Sequence, residues 1–164
     1  MTALAEKPLT IRNTLVGPIV VAGLTIALLR QIDVFVVYGL LLKVPYIVLL
    51  QYIASGILGE AAFAGGLGSA LLGLLLHLVF SLVIAAVFIL AAARLPVLRR
   101  NLIVGGLVYG VGVDFVMNFV VTPLSAAPPQ AAVLGLIVEG IISSAILIGL
   151  PLAFIAWRNA NGSL

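Results

Sequence analysis

The run LGSALLGLLLHLVFSLVIAAVFILAA, from Leu67 to Ala92, contains no Asp, Glu, Lys or Arg. A transmembrane α-helix needs about 20 consecutive apolar residues to cross the hydrocarbon core of a bilayer. This run is longer than that, and basic residues follow it at Arg94, Arg99 and Arg100. It is therefore predicted to be a membrane-spanning helix that ends at a basic loop.

The composition of the whole chain excludes a soluble globular protein. Of the 164 residues, 64% are hydrophobic and 8% are charged, and the mean hydropathy is +1.38. A soluble domain carries about 25% charged residues. Because each helical span takes about 20 residues, the length allows about four or five spans and no soluble domain. We predict an all-α integral membrane protein with a single transmembrane domain over residues 1–164.

The first third of the chain leaves two alternatives. Clear spans are predicted elsewhere, at about 67–92, 102–122 and 132–157. Residues 15–42 are apolar except for Arg30, Gln31 and Asp33, and they form either one tilted helix or two short spans broken at these residues.

The distribution of basic residues favours the single helix. Cytoplasmic loops of membrane proteins are rich in Lys and Arg. With four crossings only Lys43 lies on the outer side. The cytoplasmic side then holds Lys7, Arg12, Arg94, Arg99, Arg100 and Arg158. We therefore predict a four-transmembrane-helix bundle, multi-pass, with both termini cytoplasmic.

An additional apolar segment, at about 44–59, follows the first span. It begins next to Lys43 and Pro45, contains Gln51 and ends in glycines at Gly56 and Gly59. Its length and polar content are typical of an interfacial or re-entrant helix, which is predicted on the outer side.

Small and polar residues recur at four-residue spacing on each of the last three spans. Residues four apart share one face of a helix, and small residues allow membrane helices to approach closely. The three stripes are Ser69, Gly73, His77 and Ser81; Gly106, Gly110, Asp114 and Asn118; and Gly135, Glu139 and Ser143. Gly73, Gly106, Gly110 and Gly135 are predicted to be the helix-packing positions.

The ionisable residues within the spans are the candidate site. The predicted depths bring six polar residues into one cluster in the outer half of the bundle: Arg30, Asp33, His77, Asp114, Asn118 and Glu139. Arg30 is expected to pair with Asp114 or Glu139 across helices, or with Asp33 on its own helix. One hypothesis is a proton or cation site; the alternative is that these residues only join helices, with His77 bonded to a serine or to Asn118.

Several kinds of site are not expected. The chain has no cysteine and a single histidine, and no nucleophile–base pair or phosphate-binding loop is evident. We therefore predict no enzyme activity, no metal and no cofactor. The basic loops orient the protein and do not indicate nucleic acid. The expected partners are membrane lipid and either a second copy of the chain or another membrane protein. Tyr46 and Tyr52 are predicted to be interface anchors.

Four stretches carry a family resemblance: LLQYIASGILGEAAFAGG (49–66), LLGLLLH ending at His77, RLPVLRR (94–100) and YGVGVDFVMNFVVTPLSAAP (109–128). They resemble a family of small bacterial inner-membrane proteins of unestablished activity, more distantly related to the YagU-like proteins. The resemblance implies a four-helix protein of the bacterial inner (plasma) membrane and a loose association with acid tolerance.

The resemblance also marks individual positions. The matching residues are Gln51, Ser55, Gly56, His77, Pro96, Tyr109, Gly110, Met117, Asn118, Pro123 and Ser125. Family members often have a histidine in the last helix, where this chain has Ser143 and Ser144, and an apolar or aromatic residue at the position of Asp114.

Two functions from different classes follow from these observations. The first is a small proton- or cation-linked membrane protein related to acid stress, with His77, Asp114 and Glu139 as titrating groups and Arg30 as counter-ion. The second is a non-catalytic accessory or assembly subunit that binds another membrane protein through its glycine-rich helix faces.

Overall fold

A computed structural model describes residues 15–129 and 133–161, without the side chain of Arg99. This part of the chain is helical and contains no β-strand. The long helices are α1 (Val16–Leu41), α2 (Tyr46–Ala64), α3 (Gly66–Arg94), α4 (Leu102–Leu124) and α5 (Leu134–Ala160). All five are long and apolar enough to cross a membrane. The chain is therefore an α-helical, multi-pass membrane protein.

The helix bounds agree closely with the predicted segments. The first third forms the single helix α1, which contains Arg30, Gln31 and Asp33 without a break. The apolar segment predicted at 44–59 extends as α2 to Ala64, because a short 3-10 helix from Gly59 continues it. Lys7, Arg12 and Ala132, used in the predictions above, lie outside the described residues.

Contacts between side chains define the directions of the helices. His77 Nε2 of α3 lies 3.1 Å from the carbonyl oxygen of Ala27 in α1. A Cβ atom added to Gly23, one turn earlier in α1, would lie 3.0 Å from the Cα atom of Leu82, further along α3. Residues later in α3 therefore contact residues earlier in α1, so the two helices run antiparallel.

The same holds for α4 and α5. Gly106 approaches Gly149, and Gly110 approaches Ser144, so these two helices are also antiparallel. The backbone N–H of Ala126, just after α4, donates to the carbonyl oxygen of Gly56 in α2 at 3.0 Å. We call this end of the bundle the α2 end. The opposite end, which carries Arg94, Arg100 and Arg158, is the basic end.

The apolar core lies towards the basic end, where α1, α3 and α5 meet. Ile26, Phe88, Ile89 and Leu152 are almost completely buried there. Burial of large side chains between helices, rather than against lipid, provides dispersion contacts that hold these three helices together.

Three of the four predicted packing glycines lie at close helix contacts. A Cβ atom would collide with the carbonyl oxygen of Leu50 at Gly73, of Gly149 at Gly106, and of Ser144 at Gly110. No larger residue fits at these positions without separation of the helices. The prediction for these three glycines is confirmed.

The prediction for Gly135 is wrong. This residue is exposed, and a Cβ atom there would have no neighbour within 4 Å among the described residues. Gly135 lies in the first turn of α5, before the helix reaches α4. The contact with α4 is seen further along α5, at Gly140, where an added Cβ atom would lie 3.1 Å from Asp114 Oδ1.

Replacement of Gly110 by alanine should destabilise the bundle. The new methyl group would overlap the Ser144 carbonyl, and overpacking of this kind costs about 1–3 kcal/mol. Gly112→Ala is the matched control, because Gly112 is exposed in the same helix and has free space around its Cα. Thermal unfolding in detergent micelles measures the difference. Equal transition temperatures for the two variants would contradict the close α4–α5 approach.

Candidate functional site

Arg30 joins α1 to α5. Its Nη1 donates to Asp33 Oδ2 at 2.8 Å and to Ser143 Oγ at 2.6 Å. Of the three partners that the sequence allowed, the structure therefore selects Asp33. The two residues lie three positions apart on one helix, a spacing that brings side chains together without any requirement on the neighbouring helices.

Glu139 lies behind this pair, one helical turn before Ser143. It interacts electrostatically with Asp33 and Arg30 of α1. Two carboxyl groups therefore interact with a single guanidinium, and of these Asp33 forms the ion pair. Tyr38, one turn further along α1, lies within electrostatic range of the same three groups.

Asp114 is the most deeply buried charged residue of the candidate site, with 8% of its surface exposed. Its Oδ1 accepts a hydrogen bond of 3.3 Å from Ser144 Oγ, and it makes no ion pair with any residue that the structure describes. The Asn118 side chain donates at 3.0 Å to the backbone carbonyl of Asp114, not to its carboxylate.

His77 has a different partner from the one predicted. It was expected to bond a serine or Asn118, but its Nε2 contacts the carbonyl oxygen of Ala27. A carbonyl oxygen only accepts hydrogen bonds, so Nε2 carries a proton and donates it to this bond. His77 Nδ1 makes no hydrogen bond to the described part of the chain. The Ser81 hydroxyl instead donates to the backbone carbonyl of His77 at 2.8 Å.

A cavity of about 330 Å³ lies among the five long helices. Its wall contains four of the six predicted residues: Arg30, His77, Asp114 and Asn118. Asp33 and Glu139 do not line the cavity. Both interact with Arg30, which does. The six residues thus lie in one region of the bundle. Four of them line the cavity, and the carboxyl groups of Asp33 and Glu139 lie behind Arg30.

Three short π-helical stretches adjoin this region, at Phe35–Leu41, Met117–Val121 and Ala145–Gly149. A π-turn inserts an extra residue and rotates the following side chains relative to a regular helix. The stripe through Gly106, Gly110 and Asp114 therefore does not continue at Asn118, which is largely exposed. Asn118 nevertheless lines the same cavity as Asp114 and donates to its backbone carbonyl.

Several wall residues were not predicted as site residues. Gln31, Tyr52 and Ser144 line the cavity, and Tyr52 Oη lies 3.4 Å from the carbonyl oxygen of Pro128. Tyr46 accepts a hydrogen bond of 2.7 Å from Gln31 Nε2 and packs against Phe35, so both tyrosines make contacts within the protein. The signal available in the sequence was that Gln31 and Ser144 are polar residues within apolar runs.

Comparison with protein-family profiles, with characterised proteins and with solved structures finds no match to this chain.

The Arg30–Asp33 pair predicts a specific pattern of stabilities. Arg30→Gln leaves Asp33 without its cation, and an unpaired charge at membrane depth costs about 2.5–3.5 kcal/mol. The double variant Arg30→Gln/Asp33→Asn removes both charges and should recover part of that loss. Arg94→Gln, at the exposed end of α3, is the control for loss of a positive charge.

Thermal unfolding of the single and double variants in one detergent measures the coupling between the two residues. If the double variant is no more stable than Arg30→Gln, the ion pair does not stabilise the fold.

Proposed function

We propose that this chain is a small proton-linked protein of the bacterial inner membrane, related to acid stress, in which the intramembrane cluster binds and releases protons. His77, Asp114 and Glu139 are the titrating groups, and Arg30 is the counter-ion. The observation that carries the proposal is the charge balance of the cluster. One guanidinium, Arg30, stands against three carboxyl groups, of Asp33, Asp114 and Glu139.

Bound protons are the simplest way to neutralise the negative charge of the excess carboxyl groups. Asp33 and Glu139 interact electrostatically beside one guanidinium, and a proton on either carboxyl group would relieve the repulsion between two negative charges. An unpaired carboxylate in the bilayer is costly, so the Asp114 side chain needs a positive charge beside it, which a proton or another cation supplies. His77 can accept a second proton at Nδ1, because Nε2 is already bonded to Ala27.

Each helix around the cluster contributes an ionisable side chain that affects proton binding by the others. Arg30, Asp33 and Tyr38 come from α1 and Tyr52 from α2. His77 comes from α3, Asp114 from α4 and Glu139 from α5. A proton at any one of these sites changes the field at the others, since they share a region of low dielectric constant.

The cavity supports access from one side of the membrane. Its wall includes Ser125 and Ala127 at the α2 end, whereas Phe88, Ile89 and Leu152 fill the bundle towards the basic end. A proton that enters at the α2 end therefore meets an apolar barrier beyond the cluster. We propose slow, transporter-like transfer that requires movement of the helices, not an open channel.

Proton flux in liposomes tests the function. Protein reconstituted under a pH gradient should carry flux above empty liposomes, and Asp114→Asn and His77→Ala should reduce it to near background because neither replacement can exchange a proton. Glu60→Gln, which removes an exposed carboxylate outside the cavity, should leave flux unchanged. Absence of flux from the unaltered protein would refute the proposal and favour the accessory-subunit alternative.

We also propose four crossings, with α2 as a re-entrant helix on the outer side and both termini cytoplasmic. The antiparallel contacts of α1 with α3 support this topology, because five crossings would make those two helices parallel. In the proposed orientation Arg94, Arg100 and Arg158 lie in the cytoplasm, as basic residues commonly do.

Cysteine labelling tests the topology, and the natural chain contains no cysteine that would interfere. Lys43→Cys lies just before α2 and Phe63→Cys lies in its last turn, and both should react with an impermeant maleimide from outside intact cells. Arg100→Cys should react only after the membrane is opened. Reaction of positions 43 and 63 from opposite sides would instead establish five crossings.

A further inference from the structure

We infer that the cavity binds a lipid-soluble amine in its protonated form, with Asp114 as the counter-ion. The inference rests on the proposed function in that it assigns a ligand class to the same site. Four features of the cavity support it: its unmatched charge, its unsatisfied polar atoms, its apolar wall and its lateral access.

The unmatched charge on the cavity wall is negative. Arg30 is engaged by Asp33 and Ser143, whereas Asp114 has only the hydroxyl of Ser144 on its carboxylate. Asp114 Oδ2 makes no hydrogen bond within the described residues. A buried carboxylate without a cation is strongly unfavourable, so a positively charged ligand beside Asp114 is favoured over a neutral or anionic one.

Unsatisfied polar atoms on the same wall require a ligand that forms hydrogen bonds. Gln31 Oε1 is buried without a hydrogen-bond partner in the described structure, while the other amide atom of Gln31 bonds Tyr46. His77 Nδ1 is a further acceptor when the ring is neutral. A primary ammonium group has three N–H donors and can satisfy Asp114 and one of these neighbours together.

The remainder of the wall is apolar, which favours an organic cation over a bare metal ion. Ile53, Leu76, Phe80, Val113 and Ile148 line the cavity. Its volume of about 330 Å³ lies at the lower end of the range for small-molecule sites, about 300–1,000 Å³. Among the described residues no group of three or more His, Cys, Asp or Glu side chains is arranged to hold a metal.

The ligand enters from the bilayer. On the wall, Ile57 of α2 is 64% exposed and Phe80 of α3 is 39% exposed, so part of the cavity faces lipid between these helices and α4. Helices α3 and α4 meet nearer the basic end, where Tyr109 donates to the carbonyl oxygen of Ile84 at 2.8 Å. A lipid-soluble amine therefore reaches Asp114 sideways, without passage through the apolar core.

Equilibrium binding in lipid nanodiscs tests the inference, with 1-naphthylmethylamine as the probe and protein-free nanodiscs as the background. At neutral pH, with no gradient, we expect saturable binding of one amine per chain. The neutral 1-naphthylmethanol and the anionic 1-naphthoate should bind at least about tenfold more weakly, because they lack the charge that complements Asp114. Equal or tighter binding of either probe would overturn the inference.

Two variants locate the site. Asp114→Asn should weaken binding of the amine at least about tenfold, whereas Glu60→Gln should bind like the unaltered protein. Ile53→Trp fills the cavity from α2 without removal of a charge and should abolish binding even if Asp114→Asn fails to fold. Unchanged affinity in a folded variant of either kind would refute the assignment.

The result of the binding experiment can be distinguished from the result of the proton-flux experiment. Binding is measured without a pH gradient, and proton flux is measured without the amine. Saturable binding with no flux would support the ligand assignment and refute proton transfer. Flux with no saturable binding would support proton transfer and refute the ligand assignment.

Discussion

The organisation of this bundle depends on the cost of a charge inside a membrane. Arg30 lies within α1, and its guanidinium contacts Asp33 on the same helix and Ser143 on α5. The pair with Asp33 makes the charge tolerable at that depth, and the bond to Ser143 joins the first helix to the last. Glu139 is one turn from Ser143, so the same contact brings a second carboxyl group to the guanidinium.

Close helix contacts and the cavity have a common origin. Gly106 and Gly110 bring α4 into backbone contact with α5, and Gly73 brings α3 into backbone contact with α2. Each glycine contact draws its helix towards one partner. These glycine contacts pair α4 with α5 and α3 with α2, and the cavity lies among the helices so arranged, with both α3 and α4 in its wall.

The sequence predicts the elements that depend on local pattern. The long apolar runs gave the helices to within a few residues, and the four-residue spacing correctly predicted burial of Gly106, Gly110 and Asp114. Features that depend on another helix were not predictable. His77 bonds a backbone carbonyl of α1, and backbone carbonyls carry no sequence signal. The π-helical stretch that begins at Met117 likewise has no signature in the sequence.

The distribution of polarity along the bundle relates its fold to its chemistry. The charged and polar side chains lie around the cavity, towards the α2 end, and the large buried apolar side chains lie towards the basic end. In the proposed topology this division would place the cluster nearer the outer side, with the apolar core between it and the cytoplasm. Helix α2, which is bonded to the chain after α4 through Gly56 and Ala126, covers the cavity on the side from which it is reached. If the cluster exchanges protons as proposed, a proton from that end would pass α2 and the residues that follow α4, and the proposed amine would also have the lateral route beside Phe80.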